Sequence, residues 1–73
     1  MTKKELSNLL DEASNQVFEN YQKSERLKSA LENAAVNGKI DNAHLAGVIL
    51  EESAFIATSI LNRTLQAVLK LPD

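Results

Sequence analysis

The chain has 73 residues, no cysteine, one histidine and a formal net charge of −2, from eight Lys and Arg against ten Asp and Glu. That length admits one domain, residues 1–73, close to the lower limit at which a hydrophobic core sustains itself. The missing cysteines exclude disulfides and thiolate metal sites as reinforcement, and one histidine among scattered carboxylates argues against structural zinc. Association with another chain is left as the source of extra burial.

In chain order, Thr2-Lys3-Lys4-Glu5 has the form of a capping box, and Met1 and Leu6 stand at the positions of a hydrophobic staple. A first helix is therefore expected to start at once, with no apolar leader segment ahead of it. Its apolar positions run Leu6, Leu9, Leu10, Ala13, Val17 and Tyr21, then Leu27, Leu31, Ala34 and Ala35. Spacings of three and four place them on one face, roughly 120° wide. Glu19 and Lys23 are ordered for an i,i+4 pair. The polar stretch Gln22-Lys23-Ser24-Glu25-Arg26 interrupts the stripe. The helix either continues there with a polar layer or bends into two shorter helices; the absence of Gly and Pro favours continuity.

Asn37-Gly38 is the strongest punctuation. Gly38 suits the left-handed position just past a helix end, and Asp41 can cap the next helix, with Ile40 and Leu45 as its staple. The connection of about four residues makes the two helices antiparallel neighbours. Lys70 suits the C-terminal end of the second helix and Pro72 stops its extension. The fold class expected is all-α: an antiparallel helical hairpin with long helices at about 3–37 and 42–70, joined at Gly38, its arms roughly 50 and 43 Å long.

The second helix organises the rest. From Leu45 to Leu69 its apolar residues sweep out roughly half the circumference, wider than the stripe of about 100° that a single neighbour requires. One neighbour is the first arm; another must be a second chain or copy. Glu51 and Glu52 interrupt the apolar run from Leu45 to Leu61, which is too short to span a bilayer; they read as a solvated pair. Gly47, Ala54, Ala57 and Thr58 would let another helix approach closely. Val48 and Phe55 share a face in the otherwise polar arc of Glu52, Ser59, Asn62 and Gln66, and Phe18 lies off the main stripe of the first helix. Large apolar residues so placed mark interaction sites. The candidate protein-binding residues are Phe18, Leu45, Val48, Phe55 and Ile56.

No catalytic chemistry is legible. His44-Leu45-Ala46-Gly47 departs from the phosphotransfer pattern, lacking its lysine, and reads as a polar first turn. No nucleophile has a candidate base, and no glycine-rich phosphate loop is present. The chain is expected to be neither an enzyme nor a cofactor or metal binder. The only basic cluster, Lys23, Arg26 and Lys28, is ringed by Glu19, Glu25 and Glu32, which counts against nucleic acid.

The chain resembles the YscE/SsaE-type co-chaperones of type III secretion needle subunits. The resemblance rests on the small, cysteine-free helical layout, on the turn Asn37-Gly38-Lys39-Ile40-Asp41, and on the acidic-then-aliphatic run from Leu50 to Leu61. It implies a cytoplasmic protein that binds a small tetratricopeptide-like chaperone, the two together keeping the needle subunit monomeric before export. The alternative is a homodimeric four-helix bundle of the Rop type, a regulator binding RNA or protein.

Overall fold

The computed structural model describes residues 1–71, and among these the ordered elements are helices: α1 (Lys3–Ser24), α2 (Arg26–Ala34) and α3 (Asn42–Lys70). The all-helical expectation holds. The continuous first helix to residue 37 does not: the first arm is two helices, and α2 ends at Ala34. Both pieces lie against α3. Gln16 meets Arg63, while Tyr21 and Arg26 meet Glu52, so the first arm runs antiparallel to α3.

Local chemistry explains the boundaries. The Thr2 hydroxyl accepts from the Glu5 N–H at 3.1 Å and donates to the Glu5 carboxylate at 3.3 Å. The cap therefore forms, with its return contact made to the hydroxyl. At the other end of α1, Ser24 Oγ donates to the Tyr21 carbonyl at 2.7 Å and accepts from the Arg26 N–H at 3.2 Å. This bridge offers the backbone a local alternative to the helical ladder. Glu25 turns left-handed there, at φ 55° and ψ 20°, a conformation that costs a side-chain-bearing residue about 1–2 kcal/mol.

The connection is longer than expected, spanning residues 35–41. Val36 and Lys39 exchange backbone hydrogen bonds of 2.7 and 3.0 Å. Between them, Asn37 and Gly38 both have positive φ, 53° and 75°. That is the mirror-image turn for which Asn-Gly is favoured. Gly38 thus serves a tight turn four residues beyond the end of α2, not a helix cap. Asp41 caps α3 as expected, accepting from the His44 N–H at 2.8 Å. That bond, followed by the contact of the other carboxylate oxygen with the His44 ring, holds the Asp41 carboxyl below its ordinary value. Lys70 ends α3, and the expectation for Pro72 lies outside the described residues.

The molecule measures 55 × 21 × 16 Å. Its radius of gyration is 16.1 Å, against about 11 Å for a compact chain of this length. Ala13 and Val17 are its buried apolar side chains among the described residues, and none of the large side chains there is fully buried.

Candidate interaction surface

Two faces of α3 have different characters. The face toward the first arm centres on Glu52, which is 6% exposed. Its carboxylate accepts from the Tyr21 hydroxyl at 3.1 Å through one oxygen and pairs with Arg26 Nε at 2.9 Å through the other. The Arg26 guanidinium carbon lies 3.8 Å from the centroid of the Phe55 ring, within cation–π range. Phe55 and Tyr21 stand with ring centroids 6.3 Å apart at 39°. Withdrawal from water, and then the bond to Glu52, push the Tyr21 phenol above its ordinary value. A cleft of about 410 Å³ opens beside this cluster, lined by residues that include Val17, Tyr21, Arg26, Phe55 and Arg63. Glu52 is therefore not solvated as its sequence context suggested; Glu51 is exposed.

The opposite face is apolar and open. Ala46, Leu50, Ala54, Ala57, Thr58, Leu61, Leu65 and Leu69 recur at spacings of three and four and are all exposed. Its four leucines are between 56% and 75% exposed. On a wheel at 100° per residue they fall in an arc opposite Glu52. Glu51, at the edge of the arc, is the one charged residue that flanks it between Ala46 and Leu69.

The residues singled out from sequence divide between environments. Leu45, Val48 and Ile56 are half-buried on the Glu52 side of α3. Phe55 is 41% exposed but lies beneath Arg26, and Phe18 is 49% exposed on α1. The outward leucines were not among them, although their spacing with small residues between is visible in the sequence. The Tyr21–Glu52–Arg26 cluster has no local signal, because Glu52 lies 26 and 31 positions from its two partners.

By length and composition α3 is also long and apolar enough to cross a membrane, an 18-residue stretch of it having mean hydropathy 1.4. The expectation of too short an apolar run concerns Leu45–Leu61, a part of this helix. Glu52, clasped to the first arm, sits within it. No group of His, Cys, Asp or Glu among the described residues could hold a metal ion.

The fold and this surface define a small all-helical protein with an unpartnered apolar helix face. No family model matches the chain, and comparison with curated proteins and with solved structures finds no match.

Proposed function

We propose that this protein is a helical docking module whose working surface is the outward face of α3. One observation carries the reading. A folded monomer of 8.0 kDa ordinarily exposes about 4,500 Å². This chain exposes 5905 Å², and the four leucines on one face of α3 are among its most exposed large apolar side chains. Covering four leucines that are about two-thirds exposed stabilises an assembly by about 5 kcal/mol per chain. That is comparable to the whole stability of a small domain, about 5–15 kcal/mol.

In its specific form the module is a cytoplasmic co-chaperone of a type III secretion system, as the sequence resemblance implies. Its α3 face would complete the helical surface of a tetratricopeptide-like chaperone, which then holds the needle subunit monomeric. The support is physical fit: a helical-repeat chaperone with exposed helices needs a long apolar helix to cover them. The function requires no catalytic group.

The test is purification from native cells through a C-terminal tag, beside a Leu61→Glu variant. A stoichiometric helical-repeat protein together with a needle-like subunit, both lost in the variant, is the expected result. Recovery of wild type and variant with the same companions would overturn the docking surface. Recovery of RNA in a salt-dependent complex would replace the chaperone with the regulator.

A further inference from the structure

We infer that, in the protein alone, the outward face of α3 is covered by the same face of a second copy, packed antiparallel about a two-fold axis near Ala57 and Thr58. The inference rests on the reading of that face as the docking surface and names its occupant.

The face is self-complementary. Its exposed positions are 46, 50, 54, 57, 58, 61, 65 and 69. Each has a partner at the same distance on the other side of the midpoint between 57 and 58. In an antiparallel pair, Leu61 of one copy falls opposite Ala54 of the other, and Leu69 opposite Ala46. Leu50 falls opposite Leu65, and Ala57 opposite Thr58. The two leucine–alanine pairings set large against small, which lets the helices interdigitate at those levels. A parallel pair would place leucine on leucine at four levels and alanine on alanine at three, leaving gaps at the small positions.

Charge and area agree. Between Ala46 and Leu69 the pairing sets no like charges opposite each other, because Glu51, the one charged residue at the edge of the arc, falls level with residues 62–65 of the other copy, none of which is acidic. Antiparallel packing also sets the N-terminal end of one α3 beside the C-terminal end of the other, opposing their dipoles. Each leucine carries on the order of 100 Å² of apolar surface. With the alanines between them, two copies cover on the order of 1,000 Å², where specific interfaces begin. A dimer of modest affinity follows, one that a better-fitting helical partner can displace.

The test uses the full chain, which has no native cysteine. Sedimentation equilibrium across low-micromolar to near-millimolar concentration is expected to show a monomer–dimer equilibrium, abolished by Leu61→Glu with helicity unchanged. Ala57→Cys should cross-link to itself on mild oxidation. Leu50→Cys should not, its two copies lying about 22 Å apart along the axis, but it should cross-link when mixed with Leu65→Cys. Self-cross-linking of Leu50→Cys would overturn the antiparallel register. A monomer at every concentration would overturn the second copy. If that monomer still holds a native-cell protein that Leu61→Glu releases, the docking reading stands without it; if it binds only anionic lipid vesicles, both fail.

Discussion

Replacing Arg26 with methionine separates the buried charge from its partner. Arg26 is about half exposed, whereas the Glu52 carboxylate is nearly buried and keeps only the Tyr21 hydroxyl once the guanidinium is gone. Removing one member of a fully buried pair costs about 3–5 kcal/mol. Because one member here is half in water, about 2 kcal/mol is the appropriate scale, and loss of the stacking on Phe55 adds about 0.5–1 kcal/mol. The sum of about 2–3 kcal/mol corresponds to a fall in Tm of about 10–20 °C for a chain this small. Glu52→Gln leaves Arg26 free to turn to solvent and should cost about 1 kcal/mol. In the Arg26→Met background the same substitution removes an unpaired charge, and its effect should vanish or become stabilising. Urea denaturation followed by circular dichroism, at one fixed protein concentration, measures all four chains. A cost below about 0.5 kcal/mol for Arg26→Met would mean that the pair is screened as on an open surface. An equal cost for Glu52→Gln in both backgrounds would refute the coupling.

Glu25→Gly should raise stability by about 1 kcal/mol, since glycine adopts the left-handed conformation without penalty; a loss in urea denaturation would contradict the bend. Gly47→Ala should also stabilise, by up to about 1 kcal/mol, because a Cβ there meets nothing within 4 Å. Destabilisation by thermal melting would show that something presses on that position in solution. Tyr21 is the only tyrosine, so the absorbance of tyrosinate reports it alone. Its raised folded value means that its contribution to stability is complete below about pH 10, the unfolded value, and is lost as pH rises through the folded one. Ionisation in the ordinary range, or an alkaline stability profile identical in Tyr21→Phe, would refute the contact with Glu52.

The legible parts of the fold are those fixed by neighbouring residues. Thr2 and Asp41 cap their helices because cap chemistry reaches only three residues ahead. No Gly or Pro marks the bend at Glu25, so the sequence favours a continuous helix there. The bend arises from the Ser24 bridge, and Arg26, the first residue of α2, pairs with Glu52 far along the chain. Asn37-Gly38 reads in sequence as a helix end, whereas the backbone makes it a tight turn; both uses need the left-handed conformation. On α3 the apolar pattern is broad enough to predict two neighbours and does not distinguish the sector that meets the first arm. The sector holding Glu52, Val48 and Phe55 lies there, because Tyr21 and Arg26 supply the polar partners that make burying a carboxylate tolerable. The leucine-rich sector was left outward, and with it the candidate surface.

The most direct test of that surface is methyl NMR with a soluble paramagnetic probe, comparing the protein at assembling concentration with Leu61→Glu. The account predicts that the methyls of Leu50, Leu65 and Leu69 are shielded from the probe in the wild type and exposed in the variant. Equal, full exposure in both, in a protein that melts at high temperature as a monomer, would contradict it.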